Sequence, residues 1–130
     1  IKGILDADDA VLAEKIGADA IIVSNHGGRQ LDETISSIAA LPEIISALKP
    51  SSQVWLDSGI LSGQDILKAL ALGAKGTMIG KAYLYGLAAA GEKGVSKVLE
   101  ILKKELDTTM GLCGCSDVAE VSNNIIKISR

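Results

Sequence analysis

Four short aliphatic runs, each followed by a segment with helical spacing of its apolar residues, limit the folds open to this chain more than any other feature. The runs are IKGIL, AIIVS, QVWLD and GTMIG, which start at positions 1, 20, 53 and 76. They have the length of strands and the aliphatic composition of strands in a parallel sheet. Strands that alternate with helices through short connections predict parallel strands covered by helices.

The segments after the first three runs carry helix signals. Acidic residues open the first segment, and Gly17 stands near its end. In the second segment Ser36 or Ser37 is a candidate N-cap, and Pro42 predicts a helix that begins near this proline or is kinked there. Ser62 is the candidate N-cap of the third helix.

The last third of the chain reads as two helices and a tail. AYLYGLAA follows the fourth run directly, and GVSKVLEILKKELDTTM predicts a separate, long amphipathic helix. The apolar side of that helix is expected to consist of Val95, Val98, Ile101, Leu102 and Leu106. From Gly111 onward the chain is polar, which predicts a short helix followed by a frayed end.

Two architectures fit four βα units: an open, doubly wound sheet or part of a (β/α)₈ barrel. Periodicity does not separate them, but length does. A complete barrel needs about 250 residues, and this chain has 130 with four units of eight. We therefore expect a single α/β domain over residues 1–130, with the architecture of half a barrel plus a C-terminal helix.

Composition narrows the class of protein. The net charge is −3, the sequence pI is about 5.1, and charges of both signs are scattered along the chain. This pattern argues against a nucleic-acid partner and a basic membrane anchor, and a cytoplasmic protein is expected. Cys113 and Cys115 are too few and too close for a disulfide framework or a zinc site, so no metal is expected.

The segment SNHGGRQLD follows the second run and contains the only histidine of the chain. His26 can accept a proton near neutral pH, and the planar Arg29 side chain suits a carboxylate. Gly27 and Gly28 allow a tight turn beside a ligand. A capping or core histidine with a surface arginine explains such a pair equally well from sequence alone.

Two later strand ends carry signals for an anion. Asp57, Ser58 and Gly59 lead into a helix N-terminus, where backbone N–H groups attract anions, and Asp57 could bind a sugar hydroxyl. Gly80 and Lys81 repeat the arrangement after the fourth run. Lys2 lies within the first run, where a lysine is costly unless it faces an anion or a polar ligand, although a frayed terminus would also tolerate it. Together these residues predict a phosphate-bearing cofactor beside an acid–base site.

The motifs as a set resemble the C-terminal half of the FMN-dependent 2-hydroxy acid dehydrogenase/oxidase family. The resemblance runs through KGI, SNHGGRQLD, DSG, KALALGAKGTMIG, GEKGV and KELDTTMGLCG, and it is strongest to the bacterial flavin-type L-lactate dehydrogenases. It implies FMN as cofactor, a small 2-hydroxy acid as substrate and oxidation of an L-2-hydroxy acid, with L-lactate to pyruvate as the first candidate. Membrane association is implied only through the electron acceptor.

The resemblance also implies individual roles. His26 would be the base, Arg29 would hold the substrate carboxylate, and Lys2 would lie at the pyrimidine edge of the flavin. Ser24 would contact the flavin. The ribityl-phosphate region would be bound by Asp57, Ser58, Gly59, Ile60 and Leu61, and Gly80 and Lys81 would complete the phosphate site.

Three departures from the family bear on activity. The family commonly has arginine at the positions of Leu61 and Lys81, and one lost charge-assisted hydrogen bond would weaken FMN binding by about one to two decades. In the family the other half of the barrel supplies an aspartate that orients the histidine. The alternative to an active enzyme portion is therefore a truncated, inactive half-barrel that self-associates. Another phosphate-binding barrel is the weakest alternative.

Overall fold

The computed structural model describes residues 1–127, and it confirms the four predicted βα units. Three short 3₁₀ turns lie at His26–Gly28, Val118–Glu120 and Asn123–Ile125. The strands and helices, in chain order, are β1 (Lys2–Ile4), α1 (Ala7–Lys15), β2 (Ala20–Val23), α2 (Ser37–Ala47), β3 (Gln53–Leu56), α3 (Gly63–Ala71), β4 (Gly76–Thr77) and α4 (Lys81–Leu112).

The strands form one parallel sheet in the order β1-β2-β3-β4. A doubly wound sheet reverses its strand order at a switch point, whereas a (β/α)₈ barrel adds each strand beside the previous one. The sequential order in this chain therefore has the topology of a barrel segment, as expected. Among the described residues, the outer edges of β1 and β4 have no partner strand.

The helices cover one face of the sheet. Ile21 pairs with Val54 and Val23 with Leu56, and all four side chains are buried against α1 and α2. Alternate residues point to the opposite face. On that face the register runs from Lys2 through Ile22 and Trp55 to Gly76, and the Trp55 side chain is 38% exposed. This second face is referred to below as the open face.

Helix starts are fixed largely by local polar groups. The Asp6 carboxylate accepts the N–H groups of Asp8 and Asp9 at the start of α1, and Ser62 caps α3 in a reciprocal capping box with Asp65. Ser36 occupies the N-cap position of α2, but its side chain makes no capping hydrogen bond.

One of the two alternatives for Pro42, that the helix begins near this proline, was wrong. Helix α2 begins at Ser37, five residues earlier, and continues through the proline to Ala47. Proline removes one helical N–H, so the hydrogen bond to the carbonyl of Ile38 is lost. Leu41 and Ile44 are completely buried around this point, and their packing holds the helix in place.

The two helices predicted at the end of the chain are joined in α4, with a sharp break at Ala90 and Gly91. The segments on either side meet closely, since a Cβ atom on Gly94 would lie 1.8 Å from the carbonyl oxygen of Gly86. The predicted apolar side is correct except at Ile101, which is 45% exposed, while the neighbouring Leu102 is buried.

The tail holds two of the 3₁₀ turns, and the predicted frayed end falls partly on residues 128–130, which lie outside the described residues. Both cysteines are free. Of the helices described, none combines the length and the apolar character needed to cross a membrane.

The contact between α3 and α4 depends on a glycine, which gives a test of the fold. A Cβ atom on Gly63 would lie 2.0 Å from the Leu106 nitrogen and 2.5 Å from the Glu105 carbonyl carbon. We expect Gly63→Ala to lower the free energy of unfolding by about 2–3 kcal/mol, because backbone atoms must move apart. The measurement is the urea unfolding midpoint.

Gly111→Ala is the matched control, because Gly111 is also helical and a Cβ atom there meets nothing within 4 Å. Alanine has the higher helix propensity, so this control is expected to keep or raise the stability, by at most about 1 kcal/mol. Equal losses in both variants would contradict the close-contact explanation.

Candidate active site

A cavity of about 390 Å³ lies at the carboxyl ends of the strands. Every predicted site residue except Ser24 lines it, and Gly27, Gln30, Met78 and Leu84 complete its wall. The predicted residues brought together there are Lys2, His26, Arg29, Asp57, Ser58, Gly59, Ile60, Leu61, Gly80 and Lys81. Residues up to 79 positions apart in sequence therefore meet because parallel strands end at one edge of the sheet.

The polar centre of the site is the carboxylate of Asp57, which follows β3. Its Oδ2 atom lies 2.9 Å from Lys2 Nζ and accepts hydrogen bonds from the hydroxyls of Ser24 and Ser58, at 2.5 and 3.2 Å. Lys2 Nζ also donates to Ser24 Oγ, at 3.1 Å. Lys2 is thus a paired strand residue and not part of a frayed terminus, and three neighbouring strands are joined through one oxygen.

Asp57 stays ionised in this environment. Partial burial raises the pKa of its carboxyl group, but the hydrogen bond from Ser24 and the ion pair with Lys2 act in the opposite direction. The net result is a pKa below the ordinary value of 3.8. The carboxylate is therefore a hydrogen-bond acceptor at neutral pH.

Ser24 lies beneath the cavity and is completely buried. Its hydroxyl oxygen accepts the backbone N–H of His26 at 3.0 Å while its proton is directed to Asp57. Ser24 thus connects the backbone at His26 to the Asp57 carboxylate. Its predicted contact with a flavin stays a prediction.

His26 is exposed at the cavity and does not belong to the hydrophobic core. It lies in the left-handed region, with φ +56°, and the capping function in its turn belongs to Asn25, whose side chain accepts the N–H of Gly27. The imidazole lies against β1, because a Cβ atom on Gly3 would be 2.6 Å from His26 Cε1. The structure thus decides against the capping and core alternatives for this histidine.

The start of α3, where an anion site is predicted, already has carboxylate partners. Asp65 Oδ2 already accepts the N–H groups of Leu61 and Ser62, at 3.2 and 3.0 Å, and Glu105 Oε2 accepts that of Gly63 at 2.9 Å. These three N–H groups, at and just before the start of α3, are therefore bonded within the protein. Asp65 could have been recognised from the capping-box spacing, but Glu105 lies 42 positions away and gives no sequence signal.

The start of α4 is the more open anion site. Gly80 is its N-cap and makes no side-chain cap, and Lys81 is the first helical residue. Backbone N–H groups, the helix dipole and a cation thus meet at the cavity wall. Gly80 and Lys81 can hold a phosphate group there without displacing another carboxylate.

The cavity wall also has an apolar part, formed by Ile60, Leu61, Met78 and Leu84. Sequence reasoning missed Gln30, Met78 and Leu84 as lining residues. The last two follow from position, since Met78 comes directly after β4 and Leu84 lies one helical turn after Lys81. With Ile60 and Leu61 they form a surface suited to a flat, apolar ring. A second cavity, of about 400 Å³, shares five lining residues with the first: Gly27, Ser58, Gly59, Ile60 and Lys81.

The close contact of the imidazole with β1 predicts that Gly3 positions His26. Gly3→Ala is expected to displace the ring, because the new methyl group would overlap Cε1. Since the chain has one histidine, its imidazole gives a single Hε1–Cε1 signal in an NMR spectrum. We expect this signal to shift in the variant.

Gly17→Ala is the matched control for backbone strain. Gly17 also has a positive φ, +91° against +102° for Gly3, but nothing lies within 4 Å of a Cβ atom there. The imidazole signal is expected to stay in place in this variant. A shift of the same size in both variants would show that strain, and not contact with the ring, moves it.

The lowered pKa of Asp57 predicts a pH-dependent contribution to stability. A carboxyl group with a depressed pKa in the folded state stabilises above its unfolded value of about 3.8, and this contribution is lost as the pH falls through the folded value. Asp57→Asn is expected to cost about 1–2 kcal/mol at pH 7, with a smaller cost below pH 3. Urea unfolding at both pH values measures it.

Asp107→Asn serves as the control, because Asp107 is an exposed residue of α4. Its effect is expected to stay within about 0.5 kcal/mol at either pH. An Asp57→Asn cost that is the same at pH 7 and pH 3 would contradict an ionised, stabilising Asp57.

Comparison with known proteins agrees with this geometry. The chain is 53% and 55% identical over all of its 130 residues to the 2-hydroxyacid oxidase 2 proteins of Homo sapiens and Bos taurus, and it covers 37% of each. It is 50% identical to an L-lactate oxidase of Nostoc sp. over 98% of the chain and 35% of that protein. The chain thus spans about a third of the length of these relatives.

Solved structures show the same architecture. A structure of mandelate oxidase with benzoyl-formic acid superposes with a TM-score of 0.88 at 48% identity, over 92% of this chain and 36% of that one. Mandelate oxidase with (S)-4-hydroxymandelic acid gives the same TM-score and identity, over 34% of its chain. These neighbours are (β/α)₈ barrels, so the chain has the fold of part of a barrel, as the sequence predicted.

The family itself is shown by a match over nearly the whole chain. The FMN-dependent dehydrogenase family model matches residues 1–128. This family uses FMN, in agreement with the cofactor that the sequence motifs implied. The chain belongs to the FMN-dependent dehydrogenase family.

Proposed function

We propose that this chain is the portion of an FMN-dependent enzyme that carries the catalytic base and the phosphate site for oxidation of an L-2-hydroxy acid. The observation that carries the proposal is the convergence of Lys2, His26, Arg29 and Lys81 on one cavity at the strand ends. One base and three cations around a partly apolar cavity suit an anionic cofactor together with a carboxylic acid substrate.

The cavity fits FMN by the chemistry of its wall. Gly80, Lys81 and the start of α4 would hold the phosphate, and the Asp57 carboxylate could accept a ribityl hydroxyl. Ile60, Met78 and Leu84 would pack against the ring system. Leu61 contributes packing but no charge, so the charged side chain at the phosphate end is Lys81. When bound, FMN accepts the two electrons that the substrate loses.

The reaction assigns different tasks to the two residues of SNHGGRQLD. His26 would take a proton from the 2-hydroxy acid onto an imidazole nitrogen, which suits its exposed position in the cavity. Arg29, three residues later in the same wall, would bind the substrate carboxylate through its planar fork. Lys2 presents a positive charge beside the Asp57 carboxylate, where it can stabilise negative charge that develops on the cofactor.

L-lactate is the substrate that we propose first, with pyruvate as product. The L-lactate oxidase of Nostoc sp. is 50% identical to this chain, and so is an L-lactate dehydrogenase from Caulobacter vibrioides. Glycolate and mandelate are the competing substrates, because 2-hydroxyacid oxidases and mandelate oxidase are similar to a comparable degree. The small 2-hydroxy acid as a class is common to all of them.

A second candidate is an inactive half-barrel that pairs with another copy of itself. The observation that favours it is the open face, where Trp55 and Met78 are 38% and 40% exposed beside two unpartnered strand edges. Two copies could bury these surfaces and pair the edges. Sedimentation of the chain alone distinguishes the candidates, since a monomer at micromolar concentration would contradict the pairing.

The catalytic part of the proposal requires a complete barrel for its test. In a chimera, this chain replaces the matching 37% of the Bos taurus relative. We expect the chimera to bind FMN and to be bleached anaerobically by L-lactate. His26→Ala in the chimera is expected to slow the bleaching by about 10²- to 10⁴-fold, because the base is lost.

The same samples provide the control and the contradiction. FMN content should be equal in the chimera with His26 and in the variant, since the imidazole is not assigned to cofactor binding. Glycolate and (S)-mandelate are tested beside L-lactate to rank the substrates. Undiminished bleaching in the His26→Ala variant would overturn the assignment of the base.

A further inference from the structure

Ser58 has an unfavourable backbone conformation at the end of β3. Its φ is +80°, in the left-handed region that side-chain-bearing residues seldom occupy. Residues held in this region are found where the surrounding structure fixes them, often at functional sites. The hydroxyl of Ser58 shows what fixes it: the oxygen accepts the N–H of Gly27 at 3.0 Å, and the proton is directed to Asp57 Oδ2 at 3.2 Å.

Ser24 makes the same arrangement with the preceding N–H group of the loop. Its oxygen accepts the N–H of His26 at 3.0 Å, and its proton is directed to the same Oδ2 atom of Asp57. Two consecutive backbone N–H groups, of His26 and Gly27, are therefore held by two hydroxyls that both donate to one carboxylate oxygen. Because the carboxylate accepts both protons, each hydroxyl oxygen keeps a lone pair that accepts an N–H of the loop, and Ser24 Oγ accepts Lys2 Nζ as well.

The hydrogen bond of Ser58 to Gly27 is not needed to keep the turn folded. The N–H of Gly27 has a second acceptor, Asn25 Oδ1, at 3.0 Å. Loss of the Ser58 hydroxyl would leave this N–H hydrogen-bonded within its own turn, so the turn is retained. What is lost is the connection between the turn and β3, 31 residues away in sequence.

We propose that Ser58 is a positioning residue for His26: its hydroxyl couples the Asp57 carboxylate to the backbone at Gly27 and thereby fixes where the imidazole sits in the cavity. The importance of this position rests on the proposed function, in which His26 is the base. The structural part of the proposal stands on the hydrogen bonds alone and can be tested without FMN.

The test uses the 130-residue chain and two variants that lose the same hydroxyl. Ser58→Ala keeps a side chain at positive φ, whereas Ser58→Gly relieves the strain. Their stabilities should therefore differ, with the glycine variant the more stable. In both, the Gly27 N–H keeps its bond to Asn25 Oδ1 but loses the one that ties the turn to β3, so we expect its hydrogen exchange to become about tenfold faster. The single imidazole Hε1–Cε1 signal should shift to a similar extent in both variants.

Ser62→Ala is the matched control, because Ser62 caps α3 and makes no bond to the His26 loop. It should lower stability without moving the imidazole signal or the exchange of Gly27. If both Ser58 variants keep the wild-type imidazole signal and Gly27 exchange, the proposal is overturned. A shift in Ser58→Ala alone would also overturn it, since the cause would then be backbone strain.

The kinetic consequence is measured in the chimera. With the imidazole displaced, the rate constant of flavin bleaching at saturating L-lactate should fall about tenfold in both variants, whereas Ser62→Ala should keep the parent rate. Unchanged bleaching in FMN-loaded variants whose imidazole signal has moved would overturn the role in positioning the base. If the parent chimera itself is not bleached by any 2-hydroxy acid, the proposed function fails, and the NMR result still decides the positioning.

Discussion

The site depends on one carboxylate oxygen, Asp57 Oδ2. It accepts the Lys2 ammonium group and the hydroxyls of Ser24 and Ser58, so the carboxyl ends of β1, β2 and β3 are connected through a single atom. Partial burial alone would favour the neutral acid, but the hydrogen bonds and the ion pair keep the pKa low. A partly buried acceptor with three donors also fixes the donors, and the backbone N–H of His26 donates to one of them, the Ser24 hydroxyl.

The helices contribute indirectly, by fixing the ends of the strands and the starts of the loops. Alternate residues of β2 and β3 are buried against α1 and α2, which leaves the other face of the sheet open and directs the polar groups to its carboxyl edge. The starts of α3 and α4 then differ in electrostatics. Carboxylates of Asp65 and Glu105 occupy the first, while the second remains available beside Lys81. This difference is the reason for which we propose that a phosphate group would bind at α4.

The chain corresponds to part of a (β/α)₈ barrel, and its open face reflects this. Relatives that are about half identical to the chain are about three times as long. On the open face, Trp55 and Met78 are exposed beside the outer edges of β1 and β4, which have no partner strand among the described residues. Within residues 1–127, the backbone N–H of His26 is bonded to Ser24 Oγ, and its imidazole lies against Gly3. His26, Arg29 and Lys81, to which we assign the base, the carboxylate contact and the phosphate contact, thus lie around one cavity at the strand ends.

The sequence by itself determined the four βα units, the Ser62 cap and the polar and glycine residues that follow the strands, because these depend on local periodicity, local capping and the rule that parallel strands end at one edge. Ile60 and Leu61 were predicted only through the family resemblance. Only the tertiary structure decided three features. Helix α2 continues through Pro42, Glu105 accepts an N–H at the start of α3, and the imidazole of His26 lies against Gly3. Each of these depends on atoms distant in sequence that meet after folding. The pairing of Lys2 with Asp57 belongs to this second group, since no local pattern links residues 55 positions apart.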